Sequence, residues 1–419
     1  MPLRPTSGWL ADECARLLDF SADPRHPRGG FAWLDDDGRP VADRPVELWI
    51  TCRGVHVHAL GHLLGRDGSA ALADHGLAAL AAGGVLRDDE HGGWWARVGA
   101  QGPVTRSKTA YEHAFVVLAG ASATAAGRPG GRALLEEALD VLLTRFWDDD
   151  AGMVVEEWDE AWTVLDGYRG LNAAMHTVEA LLAAADVLDG DDPSGATRAA
   201  GLRARALRST DRVLRDLAPA HDGRLPEHFD DRWVPDLAYH RDRPADPFRP
   251  AGATVGHWME WARLALHLRA ALGEDAPDWL LPGAEALYAA AVRDGWAADG
   301  HDGFCYTVDF DGRPLVRQRM HWVLAEAVSA AAALHAATGE PSYAEDHATW
   351  WAWAEDRLLD RERGSWHHEL APDGTPDGAT WPGKPDLYHA VGATLVPRLP
   401  LAPGVAVALR EGLLDPGPT

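Results

Sequence analysis

Polar and titratable residues recur in the first turns of every second predicted helix, where a helix buried in a core would normally carry apolar residues. In chain order they are Arg53, Tyr111, Asn172, His176, His257, Glu260, His321, Trp322, Glu326 and His389. An unperturbed imidazole has a pKa of about 6.5, so histidines that converge on one point suit proton transfer near neutral pH. A neighbouring carboxylate can set the tautomer of a histidine, and the i, i+3 spacing predicts this role for Glu260 toward His257. An arginine such as Arg53 can stabilise negative charge on an oxygen, so this set suits removal of a proton next to a carbonyl.

The last of these histidines follows an unusual turn. The stretch from Trp381 to His389 reads Trp-Pro-Gly-Lys-Pro-Asp-Leu-Tyr-His, and its two prolines and glycine predict a rigid turn. Pro385 suits the opening of a helix, because the N–H that it lacks would have no partner there. We therefore expect His389 to be held in the first turns of a stiff helix.

Helical periodicity dominates the chain and predicts twelve helices. They span about 8–19, 46–64, 69–83, 108–127, 130–147, 171–189, 195–217, 254–273, 276–294, 317–338, 342–360 and 385–398. Links from even-numbered to odd-numbered helices are short, whereas links from odd to even are long and strand-like. One long link contains a predicted hairpin from Tyr306 to Leu315 with an Asp311-Gly312 turn.

This alternation predicts an all-α fold, an (α/α)6 barrel of six helical hairpins in a single domain over residues 1–419. Long loops and short β-hairpins would then cover one face of the barrel. An open α-solenoid is the alternative, and long links on a single face suit it less well. If the even helices line the ring, their polar residues meet at one mouth.

Composition excludes several classes of partner. The formal net charge is −25, which argues against nucleic acid and anionic membranes. The three cysteines are scattered at Cys14, Cys52 and Cys305, which fits a reducing cytoplasm and excludes a disulfide framework. No apolar run reaches the ~20 residues that cross a bilayer, and the N-terminus lacks a signal-peptide pattern. We therefore expect a cytoplasmic protein.

Metal and cofactor motifs are weak or absent in the sequence. His58 with His62 and the run His367-His368-Glu369 have spacings that zinc sites can use, but HExxH and Cys-rich patterns are missing. A P-loop, a GxGxxG fingerprint and a GxSxG nucleophile elbow are also missing. We expect neither a metal nor a cofactor. Structural roles are predicted for His56, His58, His62, Trp350, Trp351 and Trp353.

Five short motifs, in this order, resemble the N-acylglucosamine 2-epimerase family of sugar epimerases and isomerases. They are SKTAYEHAF at 107–115, NAAMHTVEA at 172–180, GHWMEW at 256–261, HWVLAEA at 321–327 and PDLYHA at 385–390. The resemblance covers most of the chain and implies an (α/α)6 barrel. It implies that His257 and His389 are the catalytic pair. The sugar-binding or supporting groups that it implies are Arg53, Tyr111, Asn172, His176, Glu260 and Glu326. Indole faces suit the C–H faces of sugars, so Trp322 and Trp381 join the predicted substrate-binding set.

The third and fifth motifs are closest to the branch of the family that isomerises mannose or sulfoquinovose. The resemblance thus implies a cofactor-free aldose–ketose isomerase of D-mannose and D-fructose, with lyxose as a further candidate substrate. His257, helped by Glu260, would open the sugar ring, and His389 would move a proton between C2 and C1 through a cis-enediol. Arg53 would steady the oxygen that gains charge. His176 and Glu326 would hold hydroxyl groups.

Several alternatives stay open at the level of sequence. Within the family they are a 2-epimerase of mannose and glucose and a sulfoquinovose isomerase. A glycoside hydrolase would need two carboxylates at the mouth, for which Glu260 and Glu326 are the candidates. A sugar-binding or scaffold protein would bind without turnover. The oligomeric state, including a homo-oligomer, is also open.

Overall fold

The computed structural model describes residues 5–190 and 193–415 of the chain. Within that range twelve longer helices build the fold. The outer six are α1 (Ser7–Phe20), α3 (Ser69–Leu80), α5 (Gly131–Val141), α7 (Pro193–Asp211), α9 (Leu280–Gly295) and α11 (Pro341–Trp353). The inner six are α2 (Leu48–Leu63), α4 (Ala110–Ala125), α6 (Leu171–Asp189), α8 (Val255–Leu272), α10 (His321–Thr338) and α12 (Tyr388–Leu395). A short helix, α13, follows at Val405–Arg410.

The helices pack as six hairpins in a closed ring. Each of the first five inner helices packs against the outer helix that follows it, and α12 packs against α1 from the start of the chain. The inner helices also contact one another in turn, and α12 contacts α2, which closes the ring. The predicted (α/α)6 barrel is confirmed, and the open solenoid is excluded.

Burial separates the two rings of helices. In α2, 13 of 16 residues are buried, whereas in the amphipathic outer helix α5 only 5 of 11 are buried. A helix that is buried around nearly its whole circumference belongs in a core, which is where α2 lies. By length and composition, α6 could also span a membrane, but 78% of the qualifying stretch is buried inside the protein, as expected of an inner helix.

Short strands connect neighbouring repeats on the face that carries the long links. The two residues before an inner helix pair with a strand in the next long link, and the pairing repeats around the ring. The pairs are Val46–Glu47 with Arg97–Gly99, Lys108–Thr109 with Glu157–Trp158, Arg169–Gly170 with His228–Phe229, Ala253–Thr254 with Thr307–Val308, and Arg319–Met320 with Glu369–Leu370. The predicted hairpin after Tyr306 is present, since Thr307–Val308 also pairs with Pro314–Val316.

Residues 381–387 take the place of a strand before α12 and close the ring. Lys384 N donates to Leu34 O (3.0 Å), and Trp33 Nε1 donates to Pro382 O (2.8 Å). Gly383 adopts a φ of +79°, and a Cβ there would lie 2.5 Å from Leu34 O, so this position requires glycine. The rigid turn predicted before His389 is thus confirmed.

A buried ion pair repeats at three of the entries into inner helices. The Nζ of Lys108 lies 2.6 Å from Asp88, the Nζ of Lys384 lies 2.6 Å from Asp360, and the guanidinium of Arg319 lies 2.6 Å from Asp299. Each cation also donates to backbone carbonyl oxygens of the same loop. The three pairs tie the loop after an outer helix to the start of the next inner helix.

Four inner helices begin two or more residues later than the periodicity predicted, at 48 rather than 46, 110 rather than 108, 321 rather than 317 and 388 rather than 385. Before α2, α4 and α10, residues that fit the apolar period are paired as strands instead. Before α12, Pro385 lies in the turn, so its predicted place as the first helical residue is wrong. The Oδ1 of Asp386 accepts from Tyr388 N (2.9 Å) at the actual helix start.

Candidate active site

A cavity of about 60 Å³ opens beneath the long links, at the starts of the inner helices. Nine of the ten residues predicted for the site line it: Arg53, Tyr111, Asn172, His176, His257, Glu260, Trp322, Trp381 and His389. The strands and turns described above hold these helix starts at one level, which explains why residues far apart in sequence converge. The tenth residue, Glu326, lies directly behind His389 and does not line this cavity.

His257 lies in the first turn of α8 and is backed by a carboxylate from another repeat. Its Nδ1 lies 2.9 Å from Glu227 Oε2, and Glu227 is buried. A carboxylate accepts hydrogen bonds, so Nδ1 carries the proton and Nε2 keeps its lone pair. The sequence spacing predicted Glu260 for this role. That prediction is wrong, because Glu227 occupies the position and Glu260 bonds elsewhere.

His389 is backed in the same way by Glu326. Its Nδ1 lies 2.9 Å from Glu326 Oε1, and Glu326 Oε2 accepts from Arg263 Nε (2.8 Å). Burial, reinforced by the charge of Arg53, holds the pKa of His389 well below its usual value. The neutral imidazole with a free Nε2 is the form that can accept a proton. The structure therefore corrects the role predicted for Glu326, which orients His389 rather than lining the substrate cavity.

Trp322 lies between the two histidines. Its ring centroid is 5.2 Å from that of His257 and 5.6 Å from that of His389. The indole thus separates two imidazoles that each keep a free nitrogen. Two proton-transfer groups at different positions around one small cavity can serve different atoms of one substrate.

Glu260 is fully buried and only half satisfied. Its Oε1 accepts from Arg263 (3.3 Å), whereas its Oε2 has no hydrogen-bond partner among the described residues. Burial and the nearby charge of Glu326 raise the pKa of Glu260 well above its usual value, which favours the neutral acid. In that form Glu260 can donate a hydrogen bond into the cavity.

Arg53 is held by a carboxylate that the sequence analysis did not select. The guanidinium forms a buried ion pair with Asp386 and donates to the Tyr111 hydroxyl (3.2 Å). It also lies over the rings of Phe115 and Tyr388. Burial alone would raise the pKa of Asp386, but the charge of Arg53 holds it below its usual value. The position of Asp386 inside the predicted rigid turn was the available signal.

His176 completes the polar layer with Glu179 and Tyr388, which were not among the ten residues predicted for the site. Its Nδ1 lies 3.2 Å from Glu179, which in turn accepts from the Tyr388 hydroxyl. Burial lowers the pKa of His176 despite the opposing effect of Glu179. The i, i+3 spacing of His176 and Glu179 and the position of Tyr388 beside His389 could have indicated this group.

Several buried polar atoms of the lining have no hydrogen-bond partner within the described part of the chain. They are Trp49 Nε1, Arg53 Nε, Asn172 Oδ1, Glu260 Oε2, His321 Nε2, His368 Nε2 and Trp381 Nε1. The rings of His321 and His368 are stacked at 3.8 Å. Because an unpaired buried polar atom costs about 1–3 kcal/mol, such atoms in a cavity are partners for a hydroxyl-rich ligand.

Two groups of side chains have the geometry of metal ligands. They are His176 with Glu179 and Glu260, and Glu260 with Glu326 and His389, with ligand atoms within 4.8 Å of one another. Arg263 bonds both Glu260 and Glu326, so a guanidinium already balances charge at the second group. The expectation of a metal-free site stays a prediction.

The residues predicted to be structural lie away from this cavity. His56 Nδ1 bonds Ser122 Oγ (2.7 Å), and the ring of His58 packs on Phe31. Trp350 and Trp351 are buried in the packing of outer helix α11.

Comparison with known proteins places this site in a family. A family model described as N-acylglucosamine 2-epimerase matches residues 29–393. The chain is 52% identical over 403 residues to a D-mannose isomerase of Thermobifida fusca, covering 96% of both chains. It is 46% identical over 404 residues to a D-mannose isomerase of Pseudomonas cannabina pv. alisalensis, covering 96% of this chain and 94% of the relative.

Solved structures give the same grouping. The crystal structure of a D-mannose isomerase superposes with a TM-score of 0.83 at 25% identity, covering 94% of this chain and 98% of the other. The cellobiose 2-epimerase of Spirochaeta thermophila DSM 6192 shares the fold, with a TM-score of 0.78 at 24% identity and 98% coverage of both chains. The chain belongs to the N-acylglucosamine 2-epimerase family.

Proposed function

We propose that this protein is a cofactor-free aldose–ketose isomerase that interconverts D-mannose and D-fructose. The observation that carries the proposal is the pair His257 and His389, each backed by a buried carboxylate and both lining one cavity. Relatives that cover nearly the whole chain and bear the name D-mannose isomerase support the choice of a monosaccharide substrate. The proposal includes a cytoplasmic location and leaves the oligomeric state open.

Ring opening is assigned to His257. Its Nδ1–H donates to Glu227, so Nε2 is the nitrogen that can exchange a proton with the sugar. It would take the proton of the anomeric hydroxyl and return one to the ring oxygen as the C1–O5 bond breaks. The product is the open-chain aldose, which has an acidic hydrogen at C2 next to the C1 carbonyl.

Isomerisation is assigned to His389. Its neutral Nε2 would take the proton from C2, which gives the cis-enediol in its enediolate form, with the negative charge on O1. The proton of the C2 hydroxyl would pass to O1, and His389 would return its proton to C1, which gives the ketose. Arg53 would stabilise the oxygen that gains negative charge, and Asp386 keeps the guanidinium in place. Atoms and charge balance, because each proton removed from one position is returned at another.

Substrate hydroxyls are assigned to the unpaired polar atoms of the cavity. Asn172, His321 and His368 each present an atom without a protein partner. Trp381 is held against Trp49 and Phe248 and would cover the sugar with its indole face. The cavity therefore presents polar atoms that can form hydrogen bonds with the hydroxyl groups of a sugar ring.

The alternatives differ in how well they fit this arrangement. A sulfoquinovose isomerase would need extra cations, and among the described residues of the lining the one lysine or arginine is Arg53, paired with Asp386. A glycoside hydrolase would need Glu326 as a free carboxylate, but both of its oxygens are bonded, to His389 and Arg263. A 2-epimerase, in which both histidines would act at C2, is separated by product analysis.

The decisive test is incubation of chelator-treated protein with D-mannose in D2O, followed by NMR. We expect fructose as the first product, with deuterium exchange at C1 and C2. No fructose would overturn the proposal, glucose as the first product would favour an epimerase, and binding without turnover would favour a sugar-binding protein.

A variant separates the isomerase from the hydrolase. His389→Asn should lower kcat by about 10²–10⁴-fold, because the base is lost. The matched control is His335→Asn. His335 is exposed in the last turn of α10, so this variant should retain activity. A hydrolase built on the glutamates would survive the first substitution.

A further inference from the structure

A second cavity lies inside the barrel, and His389 separates it from the candidate active site. Its volume is about 100 Å³, larger than that of the candidate active site. All six inner helices contribute to its wall, and the segment Leu401–Val407 closes it. Of the residues that line the candidate active site, His389 alone also lines this cavity. The cavity therefore belongs to the barrel interior but not to the proposed substrate site.

The wall is mostly aliphatic, and nearly all of its polar groups are already paired. His56 bonds Ser122, Glu179 bonds His176 and Tyr388, and Arg263 bonds Glu326. His267 is the exception. Its Nδ1 lies 2.6 Å from Leu401 O, so Nδ1 donates, and its buried Nε2 has no partner in residues 5–190 and 193–415.

The state of His267 defines what it can bind. Burial lowers the pKa of this histidine to about 4, so the ring is neutral near pH 7. A neutral ring that donates from Nδ1 offers a lone pair at Nε2. The complementary ligand group is a hydroxyl or another neutral hydrogen-bond donor, and an anion would be repelled.

The open space in the cavity extends to α12. Gly392 lines the cavity, and a Cβ built on it would meet no atom within 4 Å. Apolar cavities of about 150 Å³ can bind a benzene-sized molecule. At about 100 Å³ this cavity is smaller than that, so one small ring compound is the upper limit of what it can hold, and the mainly aliphatic wall suits the body of such a compound.

We propose that this cavity is a ligand site for a small neutral molecule with an apolar body and one hydroxyl group, of the phenol class, which donates to His267 Nε2. The proposal does not depend on the substrate of the enzyme. A bound molecule would contact the wall formed by Arg263 and Glu326, the pair that orients His389. A ligand bound in this cavity should therefore change the rate of the isomerisation proposed for the active site.

The test compares phenol with toluene, which replaces the hydroxyl by a methyl group of similar size. Saturable binding is measured by ligand-observed NMR on the full-length protein. Phenol should bind at least about tenfold more tightly than toluene, and His267→Phe should remove that preference, because the acceptor is lost. Toluene binding to the His267→Phe variant reports whether the cavity is still formed.

A second variant tests the location. Gly392→Leu should fill the cavity and abolish binding of both compounds, with the fold monitored by circular dichroism. The matched control is Gly190→Leu at the end of α6, where a Cβ also meets no atom within 4 Å and which does not line the cavity. Binding should persist in the control.

Three results would overturn the proposal. They are absence of saturable phenol binding to the native protein, equal affinity for phenol and toluene, and binding that persists in Gly392→Leu. A cavity that holds water alone would give the first of these results. Because binding is read without turnover, its failure is distinguishable from failure of the proposed isomerase activity.

Discussion

At the scale of single residues, the site depends on the partner behind each histidine. His257 and His389 expose one nitrogen to the cavity because Glu227 and Glu326 accept from the other. This arrangement holds the tautomer and the ring orientation, which a lone histidine in a cavity would not keep. Glu227 comes from a loop rather than from an inner helix, so it lay outside the pattern that predicted the other site residues.

Glu227→Gln should lower kcat by about 10²-fold with a small change in KM, because an amide can present an N–H to His257 Nδ1 and favour the wrong tautomer. Steady-state kinetics and the pH profile of kcat/KM measure the effect. Glu227→Asp should recover part of the activity, which a purely structural role would not predict. Glu137→Gln, a half-exposed carboxylate on outer helix α5, is the control and should behave as the native enzyme. Unchanged kinetics in Glu227→Gln would contradict the positioning role.

At the scale of elements, the precision of the site comes from the entries into the inner helices. Most of these entries are two-residue strands that pair with the next repeat, and three carry a buried ion pair. The entry into α12 lacks a strand of its own. Residues 381–387 depend instead on Lys384, on Glu369 Oε2, which accepts from Thr380 N and Trp381 N, and on contacts with residues 33–34.

Lys384→Met should therefore cost both stability and activity. Removing one partner of a buried ion pair leaves Asp360 uncompensated and destabilises a protein by about 3–5 kcal/mol. Because the turn also carries Asp386, we expect kcat to fall even below the unfolding transition. Urea unfolding measures the loss of stability. Steady-state kinetics at about 20 °C below the thermal midpoint of the variant, where it is still folded, measure the loss of activity.

Lys108→Met is the matched control for the element. The Lys108–Asp88 pair has the same length and burial, so the loss of stability should be similar. Lys108 lies in a strand paired with Trp158, which fixes the entry into α4 independently, so kcat should fall less. Equal losses of activity in the two variants would contradict a special role for the turn before α12.

At the scale of the whole molecule, the barrel buries many titratable groups. Burial lowers the pKa of many of the described histidines, for example to about 4 for His56, His58, His267, His321 and His347, and to about 3 for His113. Burial also raises the pKa of Glu112 to about 8 and of Glu156 to about 7. The unfolded chain would titrate these histidines at about 6.5 and these carboxyls at about 4.3.

Stability should fall as the pH drops below about 6.5. Below this pH these histidines bind protons in the unfolded chain, whereas in the folded protein their lowered pKa keeps them neutral. Each such histidine therefore removes about 1.4 kcal/mol of stability per pH unit. The two carboxyls act in the opposite direction between pH 4.5 and 7, because they hold their protons in the folded state. In the described part of the chain, burial lowers the pKa of twelve histidines and raises the pKa of five carboxyls, so the net effect of acidification is a loss of stability. Urea unfolding at pH 7.0 and about 5.5 measures the difference.

His347 offers a control for this linkage, since it lies on outer helix α11 and accepts from Trp351 Nε1 (3.1 Å), away from the site. His347→Gln should reduce the pH slope of the unfolding free energy by about one proton and leave kcat unchanged. A slope that does not change in His347→Gln would contradict the assignment.

The sequence by itself determined the barrel and brought together most of the residues predicted for the site. The 3.6-residue period and the alternation of short and long links follow from local chemistry, so they could be read without the structure. The ring then requires the polar starts of the even helices to meet, and nine of the ten predicted residues do line one cavity. Asp311 and Gly312 likewise specified their hairpin through turn chemistry.

Only the tertiary structure decided which groups pair. Glu227, rather than Glu260, meets His257 because loop residues reach across repeats, and spacing along one helix cannot represent that contact. Glu326 was predicted to bind substrate, but in the structure it is the hydrogen-bond partner of His389, a contact between two helices that spacing along one helix also cannot represent. Burial, which sets the pKa of His389 and the protonation of Glu260, also depends on the complete ring. Local sequence patterns determine where helices and turns form. Desolvation and hydrogen bonds between distant residues determine the protonation and the role of each side chain.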